Sequence, residues 1–262
     1  MRRDEIKKIC MVVLALFPAT LPAAESDVEL LKRADGLASY LDADFAAKYT
    51  IVHSKPGLGN SVTVASVFRR DRDEKYAIIV TEPEISLGEG YLKQGDMIWI
   101  YDPSSGLFES TKSRERFRNS SASNSDFTRS TLAEDYRVES GSDERLGVFQ
   151  CRVLSLLALT DKVAYPRMRI WISEDGLVRK TEEYALSGQL LRTTAIPDYE
   201  KIGSRRVPKS IVIVDAQRGA TMNGQFVHEK TQITIQNPSF RALDNAIFSK
   251  QFLENAQRGG RK

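Results

Sequence analysis

The chain has 262 residues, enough for one large domain or two small ones. Hydrophobic residues make up 41% and charged residues 28%, which excludes a disordered, collagen-like or multi-span membrane protein. A net charge of +3 excludes bulk electrostatic attraction to nucleic acid, so we expect no nucleic-acid partner. Two histidines and two cysteines are too few for a His-rich or Cys-rich metal site, and we expect no metal or cofactor.

The first 24 residues have the pattern of a secretory signal peptide. Residues 1–8 carry four basic side chains, Ile9–Leu21 is mostly apolar, and Ala23-Ala24 precede a polar stretch. The alternative is a membrane anchor, but a spanning helix needs about 20 apolar residues, and Pro18 and Pro22 interrupt this run. We therefore predict a signal peptide over residues 1–24 and a single domain over residues 25–262, soluble after cleavage.

Cleavage would remove Cys10 and leave Cys151 without a partner for a disulfide. Cys151 alternates in phase with Phe149 and Val153, which predicts a small buried core residue. A reactive thiol is the alternative, and it would need a nearby histidine that the sequence does not place.

The chain then divides into a helix, a long series of strands and a second helix. Asp27–Leu41 is predicted as an amphipathic helix that Ser26 or Asp27 caps. Residues 111–125 are predicted as a Ser/Asn-rich loop, 126–135 as one or two helical turns, and 244–256 as a helix. Alternation with period two predicts strands at Ser61–Arg69, Lys75–Thr81, Asp96–Tyr101, Gly147–Leu159, Arg167–Ser173, Leu177–Leu186, Leu190–Ile196, Val207–Asp215 and Gln225–Ile235, with a further short strand among the turns of residues 86–96.

About ten or eleven strands with short turns and few helices predict a mainly β protein with an antiparallel sheet. No domain linker and no fixed-period repeat interrupts the series.

Catalytic signatures are absent. The patterns GxSxG, GxxxxGK[ST] and HExxH do not occur, and His228-Glu229 lacks a second histidine. Carboxylate pairs such as Glu82/Glu84 and Glu182/Glu183 are typical of a solvated strand face. Because no residue is an evident general acid or base, we expect no enzyme activity.

Three motifs together carry a family resemblance. They are Tyr91–Pro103 (YLKQGDMIWIYDP), Ser125–Thr128 followed by Asp135-Tyr136, and Ile170–Ile172 followed by the Asp175-Gly176 turn. In this order and spacing the chain resembles LolA-like proteins, the outer-membrane lipoprotein-sorting family, over residues 27–253.

The resemblance implies a fold, a location and a function. The fold is a half-open β-barrel, a single strongly curved antiparallel sheet with helices covering the concave face. The best-known members carry the acyl chains of lipoproteins across the periplasm, from an inner-membrane exporter to an outer-membrane acceptor. For this chain we therefore expect a periplasmic carrier of acylated lipoprotein or lipid, with transient membrane contact only. The alternatives are a non-enzymatic lipoprotein sensor or regulator, and an accessory subunit of an inner-membrane lipid exporter.

A carrier needs a dry surface for its cargo, because each CH₂ group in water costs about 0.8 kcal/mol. Alternate residues of a curved sheet can supply that surface; the alternative is that the same residues form a filled core. The alternation predicts these cavity-lining, lipid-binding candidates: Val62, Val64, Phe68, Ile78, Val80, Met97, Trp99, Tyr101, Phe149, Val153, Met168, Ile170, Ile172, Ile233 and Ile235.

A second candidate feature is a basic loop. Lys112, Arg114, Arg116 and Arg118 lie within seven residues, close to Phe117. At a cavity mouth this charge would bind phosphate head groups or an acidic partner. The alternative is a solvated loop.

Overall fold

The computed structural model describes residues 25–259, so the predicted signal peptide lies outside the described residues. This part of the chain contains three α-helices: α1 (Asp27–Ala38), α2 (Leu132–Asp135) and α3 (Lys250–Gly259). Ser26 caps α1, since its hydroxyl accepts a hydrogen bond from the Glu29 amide at 3.3 Å. Within residues 25–259 no helix is long and apolar enough to span a bilayer.

The described residues also contain thirteen strands, which confirms a mainly β protein. They are β1 (Phe45–Lys55), β2 (Gly59–Arg70), β3 (Lys75–Glu82), β4 (Gly90–Gln94), β5 (Met97–Asp102), β6 (Leu107–Thr111), β7 (Tyr136–Leu146), β8 (Phe149–Ala158), β9 (Arg167–Ser173), β10 (Val178–Tyr184), β11 (Leu190–Ile202), β12 (Arg205–Met222) and β13 (Gln225–Ser239).

All thirteen strands belong to one antiparallel sheet that is not closed into a barrel. Its order is β6-β5-β4-β3-β2-β1-β13-β12-β11-β10-β9-β8-β7. The first six strands and the last seven each form a run of hairpins, and β1 pairs with β13 between the two runs. The edge strands β6 and β7 are consecutive in the chain. We call residues 112–131, which connect β6 to α2 and β7, the strap.

The two faces of the sheet are covered by different elements. Tyr49, Ile51, Ile78 and Ile233 point to the face that the strap packs against, and α1 packs on the same face near β8 and β9. We call this the inner face. The expectation that helices cover one face is met by α1 and α2.

Helix α3 differs from that expectation, because it packs on the opposite, outer face. Leu253 is fully buried beside Leu92, and Phe252 lies edge-to-face on Phe68 with ring centroids 5.9 Å apart. The backbone of Gly90 approaches Leu253 so closely that a Cβ there would lie 2.8 Å from Cδ2. The outer face of β2–β5 is therefore apolar in its own right.

Candidate functional site

A cavity of about 570 Å³ lies on the inner face, between the sheet, α1 and the strap. This volume falls within the range of about 300–1,000 Å³ that is typical of small-molecule sites. Strands β1 and β9–β13 and helix α1 supply an apolar wall that includes Leu37, Phe45, Tyr49, Met168, Val178, Ile196, Val207, Ile211, Ile213 and Ile235.

The strap closes one side of the cavity because its apolar residues are part of the core. Phe117 and Phe127 are almost fully buried and pack against each other with ring centroids 4.6 Å apart. Phe117 also contacts Tyr91 at 4.6 Å, and Phe127 contacts Tyr49 at 6.0 Å. Removing these rings from water holds a polar segment against an apolar sheet.

Polar contacts fix the strap at several points. The amide of Ser121 donates to Thr231 Oγ1 at 2.7 Å, and Arg116 forms an ion pair with Asp215 at 2.5 Å. Thr231 Oγ1 also lies 2.9 Å from Nδ1 of His53. Loss of hydration lowers the pKa of His53, although the Glu229 carboxylate, 3.4 Å from Nε2, opposes the shift. The buried imidazole therefore favours the neutral form.

A charged group is built into the cavity wall itself. Arg192 donates to both carboxylate oxygens of Asp126 on the strap, at 2.8 and 3.1 Å, and lies 3.4 Å from Glu183 Oε1. Burial raises the pKa of Glu183, although Arg192 and a 2.6 Å hydrogen bond from Thr181 oppose the shift. The apolar wall on the sheet is thus accompanied by charged side chains, and the Arg192–Asp126 pair joins the sheet to the strap.

A second, smaller cavity of about 60 Å³ adjoins the first, and we call it the annex. Its lining is polar: Asp71, Glu74, Lys75, Tyr76, Lys93, Thr128, Arg129 and Thr131. Lys93 reaches it from β4, Tyr76 from β3, and Arg129 from the strap. Five of these residues line the large cavity as well, so the two spaces share a wall.

The sheet register separates the predicted lining residues into two groups. On the inner face are Ile78, Val80, Met168, Ile170, Ile172, Ile233 and Ile235; Met168 and Ile235 line the large cavity, while Ile170 and Ile172 lie under α1. On the outer face are Val62, Val64, Phe68, Met97, Trp99, Tyr101, Phe149 and Val153. Lipid binding by any of these residues stays a prediction.

The basic loop is mostly engaged within the protein. Arg116 pairs with Asp215, and Arg118 pairs with Glu89 and donates to Ser86 Oγ at 2.8 Å. Arg114 has only a 4.0 Å contact with Glu115 and lines the large cavity, and Lys112 lies at the start of the strap. Of the four, Arg114 is placed to meet a ligand.

Sequence reasoning did not single out Lys93 or Arg192, and its assignment of Glu183 to a solvated strand face is wrong, because Glu183 is buried beside Arg192. The strand β10 that carries Glu183 is polar between its first and last residues, so the sequence gives no sign that Glu183 is buried and Glu182 less so until the register is known. Cys151 is buried as predicted, and burial raises the pKa of its thiol. Within residues 25–259 no three His, Cys, Asp or Glu side chains are placed to hold a metal ion.

Comparison with known proteins identifies the family. A protein-family model whose description reads "Uncharacterized protein" matches residues 72–255, which is most of the chain. The chain belongs to this family. A search of curated proteins finds no match.

Solved structures show the same fold. A LolA superfamily protein from Nitrosomonas europaea has a TM-score of 0.70 and 22% identity, covering 85% of this chain and 97% of its own. An outer membrane lipoprotein-sorting protein domain from Vibrio parahaemolyticus has a TM-score of 0.74 at 18% identity, with coverage of 87% and 97%. A DUF1329 family protein from Desulfovibrio piger has a TM-score of 0.74 at 18% identity, with coverage of 86% and 97%. The fold is LolA-like, which confirms the resemblance seen in the sequence.

Proposed function

We propose that the protein is a periplasmic carrier that holds an acyl chain of a lipoprotein or lipid in the large cavity, without enzyme activity. The observation that supports the proposal is the cavity of about 570 Å³ with its apolar wall on the inner face. The LolA-like fold of proteins named for lipoprotein sorting agrees with it. A signal peptide and a single domain over residues 25–262 belong to the same proposal.

Contact with a membrane is the second element of the proposal. Six hairpin turns lie at the same end of the antiparallel sheet, and each has an apolar side chain that is 53–93% exposed in the turn or at the start of the strand after it: Leu58, Ile85, Leu107, Leu159, Leu186 and Phe226. Exposed apolar side chains on turns can enter the interface of a bilayer without rearrangement of the sheet. An inner-membrane exporter and an outer-membrane acceptor are the partners that such a carrier would need.

The test is native mass spectrometry with lipid extraction, on protein purified from the periplasm. We expect a bound diacyl lipid or acylated peptide. Ile211→Trp places an indole in the cavity, whereas Val212→Trp adds the same bulk on the outer face of the same strand. We expect Ile211→Trp to lose the bound mass and Val212→Trp to keep it. An apo mass for the unmodified protein, with no uptake of added lipid or lipopeptide, would refute the carrier.

A further inference from the structure

Lys93 is a buried cation whose hydrogen-bonding capacity is mostly unused. Its side chain is only 10% exposed, and its ammonium group donates to the Glu74 carbonyl oxygen at 3.2 Å. The Glu74 carboxylate is 3.8 Å away, and no other partner lies within residues 25–259. An ammonium group has three donors, and burying a charge without full pairing is costly. The same loss of hydration destabilises the charged ammonium form and lowers the pKa of Lys93.

Other donors converge on the same space. The Tyr76 hydroxyl is buried and has no hydrogen-bond partner in the described part of the chain. Arg129 lines the annex, where it donates to Glu74 at 3.0 Å and to Glu134 at 2.6 Å. Thr128 and Thr131 also line the annex, but their hydroxyls already donate, to the Ser125 carbonyl oxygen at 2.8 Å and to Asp135 Oδ2 at 2.6 Å. The donors left for an oxyanion are those of Lys93 and the Tyr76 hydroxyl, beside the guanidinium of Arg129.

The two acidic residues of the annex, Asp71 and Glu74, differ in how strongly they would oppose a bound anion. Asp71 is fully engaged, since it accepts from Arg69 at 2.6 and 3.0 Å and from the Tyr40 amide at 2.8 Å. Glu74 is 45% exposed and follows the 3-10 turn Asp71–Asp73, so its carboxylate can rotate toward solvent. That movement would leave Lys93 free for another anion and would remove one of the two carboxylates on Arg129, which stays paired with Glu134 at 2.6 and 2.9 Å.

The position of the annex adds the second half of the argument. Lys93, Arg129, Glu74, Thr128 and Thr131 line both the annex and the large cavity. A molecule with an apolar chain in the large cavity can therefore place a charged head group in the annex.

We propose that Lys93 and Arg129 bind the phosphate group of an amphiphile whose acyl or alkyl chain occupies the large cavity. The inference rests on the proposed function and deepens it by naming the ligand class, an amphiphile with an anionic phosphate head. The Tyr76 hydroxyl donates a further hydrogen bond to the phosphate.

The experiment is calorimetric titration of the protein with probes of equal chain length, all below micellar concentration. The probes are dodecyl phosphate, the neutral monolauroyl glycerol, and dodecyltrimethylammonium, with inorganic phosphate as a chain-free probe. We expect dodecyl phosphate to bind about tenfold more tightly than the neutral probe, as one charge-assisted hydrogen-bond site allows. Inorganic phosphate should bind much more weakly than dodecyl phosphate.

Variants assign the preference to the annex. Lys93→Gln should abolish the tenfold preference for dodecyl phosphate over the neutral probe, whereas Lys93→Arg should retain it. Tyr76→Phe should reduce the preference by about threefold. Lys48→Gln is the matched control, because Lys48 is exposed and lines neither cavity. Thermal unfolding of each variant checks that the fold is intact.

The outcomes separate the two proposals. If the dodecyl probes bind equally well, or Lys93→Gln keeps the preference for phosphate, the annex inference is overturned while the carrier proposal stands. If inorganic phosphate binds as tightly as dodecyl phosphate, the annex is a site for free phosphate and the amphiphile is refuted. If no dodecyl probe binds, both proposals fail.

Discussion

Asp44, the residue before β1, should be among the most costly carboxylates to remove. It accepts hydrogen bonds from Arg70 at 2.9 and 3.0 Å and from the Leu243 amide at 2.7 Å, and it pairs with Arg72 at 2.8 Å. The network joins the start of β1, the end of β2 and the segment that leads to α3. We predict that Asp44→Asn destabilises the protein without changing the volume of the side chain.

The magnitude follows from the pKa of Asp44. Hydrogen bonds from Arg70, opposed by loss of hydration, lower this pKa from 3.8 to about 2. A shift of this size corresponds to about 2.5 kcal/mol of stability at pH 7. The variant also leaves the buried Arg70 guanidinium without its anion, so the loss should lie between about 2 and 4 kcal/mol.

The assay is urea unfolding of both proteins at pH 7, 5 and 3.5. Because the folded-state pKa is depressed, the contribution of Asp44 is complete above the unfolded-state pKa of 3.8 and is lost as the pH falls toward 2. The difference between the two proteins should therefore be constant from pH 7 to 5 and begin to shrink at pH 3.5. Asp42→Asn is the control: Asp42 is largely exposed and pairs with Arg205, so it should cost less than about 0.5 kcal/mol. Equal losses for Asp42→Asn and Asp44→Asn would refute the reasoning.

Three further predictions concern other parts of the fold. Phe127→Ala should cost about 3–5 kcal/mol in urea unfolding, because it empties the contact between strap and sheet; a loss below 1 kcal/mol would mean that the strap is not part of the core. Gly219→Ala should destabilise, since a Cβ would lie 2.2 Å from the Val227 carbonyl oxygen, whereas Gly36→Ala in α1 meets nothing within 4 Å and should stabilise by about 0.5–1 kcal/mol. His53→Gln should flatten the pH dependence of the free energy of unfolding between pH 7 and 5. The folded-state pKa of His53 is lowered, so the wild-type protein loses stability as the pH falls and the unfolded chain takes up a proton. The same dependence on pH in the variant and the wild-type protein would contradict this.

The order of helix and strands was predictable because most strands have one polar face. Arg167–Ser173 is predicted to the residue, and Met168, Ile170 and Ile172 share the inner face as their alternation indicates. Strands β1, β6 and β7 were missed. In β1, Lys48 and several small residues weaken the alternation of apolar and polar side chains. Strand β7 lies at the edge of the sheet, and Tyr136 is its one buried residue.

The faces of several strands could not be predicted, for a physical reason. In β5, Met97, Trp99 and Tyr101 alternate with Ile98 and Ile100, and both sets are apolar because α3 covers the outer face. Alternation assigns a face only where one side meets water. Phe149 and Val153 in β8 present the same problem, because Trp171 packs against Val153 on the outer face.

The sequence predicts a loop over residues 111–125, which include most of the strap, and the place of this segment in the core cannot be inferred from composition. Its serines satisfy their own backbone: Ser120 Oγ donates to the Phe117 carbonyl at 2.8 Å and accepts from the Ala122 amide at 3.1 Å. Together with a 3-10 turn at Asn124–Phe127 and a β-bridge between Arg116 and Ser123, these hydrogen bonds allow a polar segment to be buried outside the main sheet. The annex and the internal ion pair depend on this segment, so neither was visible in the sequence.

The pairing of β1 with β13 has a consequence for how the chain folds. Every other pair of neighbouring strands is joined by a hairpin or short connection, but Lys48 lies opposite Gln236, about 190 residues later in the chain. Closing so long a loop is the slowest kind of contact to form. Each run of hairpins can therefore assemble early as a separate half. The centre of the sheet, where Tyr49 and Ile235 form part of the cavity wall, would then be completed last.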